Sequence, residues 1–339
     1  MARPDGAGAE MDAWTTRGDG RLTADALPDP EPAADELVVE VAACGVCRTD
    51  LHVVDGELDP HRSPVVPGHQ VVGRVVATGG GVRRTAVGDL VGIAWIRSTC
   101  GTCRWCRSGR ENLCPDARFT GWDADGGYAR FATVTEAFAY GLPNDADPVA
   151  VAPLLCAGII GYRALGRANL PPGGRLGLYG FGSSAHLTAR LAMAAGASVV
   201  AMTRGEANQR LARELGLDFV GGERDAPPEP LDAAIVFAPA GDLVPVALEA
   251  TIRGGTVVLA GIHMTDVPAM TYADHLFLER DLRTVTANTR ADGDEFLRLA
   301  LRLGIAPTAT PYPFERADAA VDDLRSGRAS GSLVLVRDA

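Results

Sequence analysis

The chain has 339 residues, of which 47% are hydrophobic and 22% are charged, and its formal net charge is −11. This acidic balance argues against nucleic acid or an anionic membrane surface as a partner, and no apolar run approaches the ~20 residues that span a bilayer. All 32 basic residues are arginine, so lysine-dependent Schiff-base, pyridoxal-phosphate and Walker-A chemistry is excluded.

The length is typical of about two domains. Residues 1–10 are small and polar, which predicts a flexible extension without signal-peptide character and therefore a cytoplasmic location. From residue 11 to about 150, short apolar runs alternate with Gly, Pro and Asp. These runs predict strands of an antiparallel, barrel-like domain: ELVVEVAACGV, VVGRVVATG and DLVGIAW.

Four cysteines lie close together in the spacing C-x2-C-x2-C-x7-C: Cys100, Cys103, Cys106 and Cys114. Four thiolates on one short loop form a closed tetrahedral zinc site of the structural kind. Disulfides are the alternative, but cysteines at i and i+3 rarely pair in a cytosolic chain. A zinc ribbon that binds nucleic acid is a further alternative, which the net charge of −11 disfavours.

From about residue 151 to 290 the pattern changes to strands that alternate with helices. The strands are RLGLYG, SVVAMT, DAAIVFAPA, GGTVVLAGI and LRTVTANT, and SAHLTARLAMAAG and EANQRLARELG are helices closed by glycine. Such alternation predicts an α/β fold with a doubly wound parallel sheet. A tail of two helices, a Pro-rich stretch and a closing strand follows, and we expect residues 291–339 to return to the first domain.

A dinucleotide-binding fingerprint follows the first strand of this sheet in the segment GLYGFGSSAH. Gly180 permits a tight turn, Gly182 lets the backbone approach a pyrophosphate, and the small Ala185 allows close helix–strand packing. Ser183 and Ser184 begin the helix whose N-terminus favours the anion. About twenty residues on, Thr203 and Arg204 replace the acidic residue typical of NAD sites, which favours NADP(H) over NAD(H). Alternatively, Arg204 stacks on the adenine or is solvated.

The motifs together resemble the zinc-dependent alcohol dehydrogenases of the medium-chain dehydrogenase/reductase superfamily. They occur in the order CGVCRTDLH, PVVPGHQVVGRV, the four-cysteine loop, PLLCAGIIGYRAL and GFGSSAH. AWIRSTCGTCRWC and MTR are more similar to the microbial enzymes and their cinnamyl-alcohol-dehydrogenase relatives than to the animal type. The resemblance implies a GroES-like catalytic domain (residues 11–150 and 291–339) and a Rossmann cofactor domain (residues 151–290).

The resemblance also implies the roles of individual residues. Cys47, His69 and Cys156 would hold a catalytic zinc and leave one coordination position for the substrate oxygen or water. Thr49 would start a proton relay that leaves through His52, and Asp50 would orient the ligand histidine. Arg48 would contact the cofactor pyrophosphate, and Ala260, Gly261 and Asn288 would lie near the nicotinamide. Trp95 would form a wall of the substrate pocket, for which a core position is an equal alternative.

One position departs from the family pattern. The family carries Glu after the ligand histidine, where this chain has Gln70, so the zinc site would carry one negative charge fewer. The zinc should then be a stronger Lewis acid, with slower ligand exchange, and Gln70 itself is a possible weak ligand. The closing strand has Ser332 where some relatives place an arginine near the cofactor.

The predicted function is hydride transfer between NAD(P)H and an aldehyde, a ketone or an alcohol, with zinc polarising the oxygen of this small-molecule substrate. An alternative is a specialised reductase for an imine, an enone or a biosynthetic intermediate, with altered or zinc-independent chemistry. A non-catalytic cofactor-binding protein is a third reading, and the retained Thr49, His52 and zinc ligands argue against it. The resemblance further implies two zinc ions per chain and a homodimer or homotetramer.

Overall fold

The computed structural model describes residues 9–328 and 331–337. Positions 1–8 of the predicted extension lie outside the described residues, and Glu10 already belongs to a strand because it pairs with Pro28 in an antiparallel ladder. The first part of the chain forms these elements: β1 (Glu10–Thr15), β2 (Thr23–Pro28), β3 (Glu36–Val46), α1 (Arg48–Val54), β4 (Gln70–Thr78), β5 (Leu90–Ile93), β6 (Ile96–Ser98), α2 (Arg104–Arg107), β7 (Arg118–Phe119), β8 (Phe131–Thr135) and β9 (Ala139–Gly141).

The second part alternates helices and strands, as predicted. Its elements are α3 (Pro148–Val151), α4 (Ala157–Ala168), β10 (Arg175–Tyr179), α5 (Ser183–Ala194), β11 (Ser198–Met202), α6 (Glu206–Glu214), β12 (Phe219–Gly221), β13 (Leu231–Val236), α7 (Leu243–Ala250), β14 (Thr251–Leu259), α8 (Tyr272–His275) and β15 (Asp281–Thr284). The tail contributes α9 (Arg290–Leu303), β16 (Ala309–Pro313), α10 (Ala317–Arg325) and β17 (Ser332–Val336).

The larger sheet runs in the order β16-β17-β3-β4-β5-β9, and β8 also pairs with β3. Its ladders are antiparallel except for the pair β16–β17, which is parallel. Strand β16 comes from the Pro-rich stretch of the tail. It tolerates Pro311 and Pro313 because an edge strand can lack ladder donors. Strands β16 and β17 of the tail therefore belong to the same sheet as β3.

The second sheet is parallel throughout and has the order β12-β11-β10-β13-β14-β15. This order reverses direction at β10, the first strand of the series, which confirms the predicted doubly wound topology. Alternate residues along β10 and β11 pack on opposite faces. Leu176 and Val199 join the core formed with α4, α5 and α6, whereas Tyr179 and Val200 join the core formed with α7.

A further apolar core joins the two sheets. Val72 of β4, Ile159 of α4, Leu187 of α5 and Phe296 of α9 belong to the same buried cluster. Because strands of the first sheet share this core with helices that pack on the second sheet, the two sheets lie beside one cleft, which the predicted cofactor residues line.

In the described part of the chain, no single helix is long and apolar enough to cross a membrane. A bent pair of helical segments, Pro148–Leu155 and Ala157–Ala168, meets the length and composition criteria only when the two are taken together.

Candidate functional site

Three residues from separate elements form a cluster of metal-ligating atoms in which His69 is buried and the two cysteines are partly exposed. Cys47 precedes α1, His69 precedes β4 and Cys156 precedes α4, and their ligand atoms all lie within 4.8 Å of one another. The distance between Cys47 Sγ and His69 Nε2 is 3.3 Å. Ideal zinc bonds would place these two atoms about 3.5 Å apart in a tetrahedron. The donor set and its spacing therefore fit a zinc ion with one open position.

Asp50 organises this cluster from behind. Its Oδ1 accepts hydrogen bonds from His69 Nδ1 at 2.8 Å and from the Gly68 N–H at 3.1 Å. Its Oδ2 accepts from the Cys47 N–H at 2.9 Å, which closes a capping box at the start of α1. Because Asp50 occupies Nδ1 of the imidazole, the other ring nitrogen is directed at the two sulfurs.

The electrostatics of the cluster prepare it for a cation. A hydrogen bond from Cys156 lowers the pKa of the Cys47 thiol well below its ordinary value, against the effect of burial. Burial by itself would lower the pKa of His69, but Asp50 and Cys47 outweigh it and raise that pKa well above the usual range. The lowered pKa of Cys47 favours the thiolate, which is the form of cysteine that binds a metal ion.

The four-cysteine loop forms a second cluster with all its ligands on one segment. The Sγ–Sγ distances are 3.5 Å for Cys103–Cys106, 3.5 Å for Cys114–Cys100 and 3.9 Å for Cys100–Cys106. Zinc–sulfur bonds of about 2.3 Å give tetrahedral edges of about 3.8 Å. Backbone hydrogen bonds, that from the Cys103 N–H first, lower the pKa of Cys100 to about 6. All four are free cysteines, and their arrangement fits a closed zinc site.

One cavity of about 980 Å³ lies between the sheets and connects the predicted metal and cofactor sites. At one end it is lined by Cys47, Thr49 and Cys156, and at the other by the glycine-rich segment and Arg204. A dinucleotide lying along this cleft would bring its reactive end toward the open metal position. The geometry therefore unites the two sets of residues that the sequence predicts separately.

The glycine-rich segment has the backbone that a phosphate cradle needs. Gly180 adopts φ +85°, and a Cβ atom there would lie 2.8 Å from the Ala238 nitrogen. Gly182 is the N-cap of the twelve-residue helix α5 and supplies no side-chain cap, and the space where its Cβ would be is open. The free N–H groups of the first turn, at Ser183, Ser184 and the buried Ala185, therefore face an open space that suits an anion.

Two hydrogen-bond bridges fix this cradle to its surroundings. Thr203 is buried, and its Oγ1 accepts from the Phe181 N–H at 3.2 Å, so this residue supports the turn from within. Ser332 contacts Ser183 with its hydroxyl, Oγ to Oγ, at 2.6 Å. Ser332 thus binds the start of α5 from the other sheet.

A buried histidine that the sequence analysis did not identify adds a third bridge. His186 contacts the Gly182 carbonyl with Nδ1 at 3.2 Å and accepts from the Thr308 N–H with Nε2 at 3.1 Å. Burial lowers the pKa of His186 to about 4. The imidazole is therefore neutral near neutrality, with Nδ1 as its donor. Its position one turn into α5 was the only sequence signal.

Arg48 and Arg204 both line the cavity and are exposed. Among the described residues neither side chain takes part in an ion pair, so both guanidinium groups are available to an anionic ligand. Glu223 and Asp242 also line this end of the cavity, and Asp242 forms an ion pair with Arg224.

Trp95 belongs to an aromatic wall beside the open cluster. Its ring meets His69 edge-on at 4.9 Å and stacks with Phe119 at 5.0 Å and with Trp122 at 6.0 Å. The exposed ring of His61 stacks on Trp122 at 3.8 Å. Trp95 is nearly buried and still lines the cavity, so it is both a core residue and part of the pocket wall.

The predicted proton-relay residues lie where the cavity meets α1. Thr49 and His52 are buried and line the cavity. Nδ1 of His52 forms a short contact with the carboxylate of Glu57, and the ring of His263 lies 5.3 Å away across the cleft. Glu57 and His263 were missed by the sequence analysis because neither belongs to a recognisable motif.

Gln70 is buried next to the open cluster, where β4 begins. Its side chain packs against Gly45, where a Cβ atom would lie 2.5 Å from Oε1. Within the described residues its Nε2 has no hydrogen-bond partner. A buried amide nitrogen without a partner is unfavourable by about 1–3 kcal/mol, which suggests that the position is not shaped for packing alone.

The three residues expected near a nicotinamide all line the cavity. Ala260 and Gly261 follow β14, and Asn288 follows β15, so they come from adjacent strands of the parallel sheet. The side chain of Asn288 is buried and donates to Tyr140 Oη at 3.2 Å and to the Thr289 carbonyl at 3.0 Å. Its amide is thus engaged within the protein, and its backbone borders the cleft.

Comparisons with known proteins agree with this architecture. Residues 33–144 match the family described as the alcohol dehydrogenase GroES-like domain. The chain is 54% identical over 338 residues to a probable alcohol dehydrogenase, AdhA, of Mycobacterium tuberculosis (strain CDC 1551 / Oshkosh). That similarity covers 97% of this chain and 98% of the relative.

Two solved structures share the whole fold. An acetophenone reductase from Geotrichum candidum in complex with NAD is 26% identical with a TM-score of 0.87, covering 98% of each chain. A cobalt- and zinc-bound thermostable alcohol dehydrogenase from Pyrobaculum aerophilum is 25% identical with a TM-score of 0.89, covering 97% of this chain and 100% of the other. The fold of the whole chain is therefore shared with these two proteins.

Proposed function

Since this chain belongs to the alcohol dehydrogenases of the medium-chain dehydrogenase/reductase superfamily, whose members interconvert alcohols and aldehydes with NAD(P), we propose that it is a zinc-dependent carbonyl reductase and alcohol dehydrogenase. The observation that carries the proposal is the cluster of Cys47, His69 and Cys156, two of whose members line the cavity that also reaches the glycine-rich segment. A zinc ion held there supplies Lewis acidity at the substrate oxygen.

The residues around the cluster would orient the ligand histidine, contact the substrate oxygen and transfer its proton. Asp50 keeps His69 in the tautomer that presents Nε2 to the ion. Thr49 would exchange a hydrogen bond with the substrate oxygen, and His52 would pass the proton to solvent. The carboxylate of Glu57 at Nδ1 fixes the orientation of the His52 ring. The four cysteines of the loop would hold a second zinc ion that stabilises the fold.

The substrate pocket favours apolar or aromatic molecules. Trp95, Phe119 and Trp122 form a continuous aromatic surface at the metal end of the cavity. An aromatic ring of the substrate could stack on this surface with its carbonyl directed at the open metal position. The Geotrichum relative is named for reduction of an aromatic ketone, which supports the same substrate class here.

We infer that NADP(H) is favoured over NAD(H). Arg204 follows β11, is exposed in the cavity and is in no ion pair within the described part of the chain. A charge-assisted hydrogen bond to a 2′-phosphate contributes about 1.5–3 kcal/mol. Arg204→Ala should therefore raise the KM for NADPH about 10- to 100-fold and leave that for NADH almost unchanged. Arg210→Ala, an exposed arginine one turn along α6, is the matched control.

The structure also bears on the alternative of a specialised imine or enone reductase. The buried Gln70, whose Nε2 has no hydrogen-bond partner among the described residues, lies beside the open cluster. The family resemblance implies a carboxylate at this position. A changed charge at this position is consistent with a changed substrate or altered metal use. In either case we expect a small-molecule substrate, a homodimer or homotetramer and a cytoplasmic location, with neither nucleic acid nor a membrane as a partner.

The proposal is tested by zinc analysis and turnover on the same sample. We expect two zinc ions per chain and NADPH-dependent reduction of a panel of aromatic aldehydes, lost on treatment with a chelator but not with its non-chelating isomer. One zinc per chain, or turnover of imines or enones alone that survives chelation, would favour the specialised reductase instead.

A further inference from the structure

The segment after β15 forms one wall of the cavity at its metal end. Val285, Thr286, Ala287 and Asn288 all line the cavity. They sit at the carboxyl end of a parallel strand, where doubly wound sheets bind their ligands. Under the proposed function this wall borders the nicotinamide end of the cofactor, and the inference below rests on that placement.

Ala287 in this wall has a strained backbone, with φ of +47°. Of the three non-glycine residues with positive φ in the described chain, Asn169 ends a helix and is of a type that tolerates this conformation. An alanine does so only at a cost of about 1–2 kcal/mol, so its surroundings must impose the conformation.

The surroundings that hold Ala287 come partly from the four-cysteine loop. Asn112, two residues before the last cysteine of that loop, donates from Nδ2 to the Thr286 carbonyl at 2.9 Å. Asn112 is 6% exposed, and its Oδ1 is buried without a partner in the described structure. The hydrogen bond to Thr286 is therefore the main polar contact of the buried Asn112 side chain.

The neighbouring residue of the loop holds the other side of the wall. Glu111 is buried, and its Oε1 accepts from the N–H of Arg290 at 3.0 Å and from its Nε at 3.1 Å. Between these two attachments, Tyr140 accepts a hydrogen bond from Asn288. The segment 286–290 is thus anchored at three points around one strained residue.

We propose that Asn112 is a positioning residue for cofactor binding. By holding the Thr286 carbonyl it keeps Ala287 in the left-handed conformation that shapes the nicotinamide end of the cavity. Glu111 supports the same wall through Arg290. The four-cysteine loop then does more than stabilise the fold, because the side chains of Asn112 and Glu111 also hold the cofactor-site wall in place.

The test compares two ligands on the full-length, zinc-loaded protein by isothermal titration calorimetry. NADPH carries the nicotinamide, whereas 2′-phospho-ADP-ribose lacks only that ring and keeps the adenosine, the pyrophosphate and both riboses. Asn112→Ala should weaken NADPH binding about tenfold, the loss of one buried hydrogen bond, and change the affinity for 2′-phospho-ADP-ribose less than about twofold. Leu113→Ala, an exposed neighbour in the same turn, should alter neither affinity.

A second variant tests the role of backbone strain. Glycine adopts positive φ freely, so adding Ala287→Gly to Asn112→Ala should restore much of the NADPH affinity. The proposal is overturned if Asn112→Ala binds NADPH like the wild type, if both ligands weaken equally, or if Ala287→Gly gives no rescue. A wild-type protein that binds 2′-phospho-ADP-ribose but gains no affinity from the nicotinamide would instead overturn the cofactor placement on which the inference rests.

Discussion

The two cysteine-containing clusters differ in how they are built. The four-cysteine loop takes all its ligand atoms from residues 100–114. The open cluster draws Cys47, His69 and Cys156 from three distant points of the chain, and Asp50 supports it within the core. A local cluster with four thiolates can close around an ion by itself. A dispersed one depends on the fold and leaves a position free for chemistry.

The open cluster is therefore suited to catalysis and the four-cysteine loop to stabilising the fold. Asn112 qualifies the division, because it connects the local cluster to the cofactor cavity.

The largest effect should follow loss of a ligand from the open cluster. Cys47→Ser should remove one zinc ion per chain and lower kcat/KM about a thousandfold or more, because metal-ion stabilisation of transition-state charge contributes several kcal/mol. Circular dichroism should show an unchanged fold. Cys44→Ala is the matched control, a buried cysteine three residues away that belongs to neither cluster. Full turnover by Cys47→Ser would remove the open cluster from the mechanism.

Loss of the carboxylate behind the open cluster should have an intermediate effect. Asp50→Asn keeps the shape but removes the charge that orients His69, and such changes typically reduce metal affinity or activity 10- to 100-fold. Competition with a chromogenic chelator measures the affinity. Asp123→Asn is the control, since Asp123 accepts from His61 in a similar pair at 2.9 Å outside the cluster. Equal zinc affinities in both variants would show that Asp50 acts only in folding.

Loss of a ligand from the closed cluster should act mainly on stability. Cys103→Ser should lower the unfolding midpoint by about 5–10 °C, because a structural zinc contributes folding energy directly and each kcal/mol shifts the midpoint of a chain this large by roughly 2–4 °C. The remaining folded enzyme should lose less than about tenfold in turnover, through weaker cofactor binding. Ser108→Ala, an exposed residue of the same loop, should change neither quantity. An unchanged midpoint with one zinc missing would contradict the structural role.

The same contrast explains what the sequence could predict. The glycine-rich segment, the four-cysteine loop and strand β3 are local, so spacing and periodicity were sufficient to locate them. The alternation of strands and helices likewise predicted the parallel sheet. The domain boundaries at residues 150 and 290 and the roles of the site residues stay predictions.

Features that depend on distant contacts were missed. His263 meets His52 only after β14 and α1 come together, and Asn112 meets Thr286 across 174 positions of sequence. Strand β16 was not predicted because prolines are rare in strands, and this edge strand forms only by pairing with β17. Neither a residue pattern nor a propensity encodes such pairings, since they follow from the tertiary fold.

The smallest effect, and the sharpest probe of the open cluster, is expected from Gln70→Glu. This change buries a carboxylate where the amide nitrogen now lacks a partner. In the metal-free protein the charge would be uncompensated and would destabilise the fold by about 1–3 kcal/mol or more. With zinc bound nearby, the positive ion would offset most of this cost. Zinc should therefore raise the stability of the variant more than that of the wild type, whereas turnover should change by less than about tenfold.

Thermal unfolding with and without a chelator measures this difference. Chelation should lower the midpoint of Gln70→Glu several degrees further than that of the wild type, because each kcal/mol corresponds to about 2–4 °C. Gln70→Met matches the size of glutamine without its polarity, so its response to chelation should equal that of the wild type. An equal response in all three proteins would mean that residue 70 does not sense the ion. The dispersed cluster would then be no more sensitive to its charged surroundings than the local one.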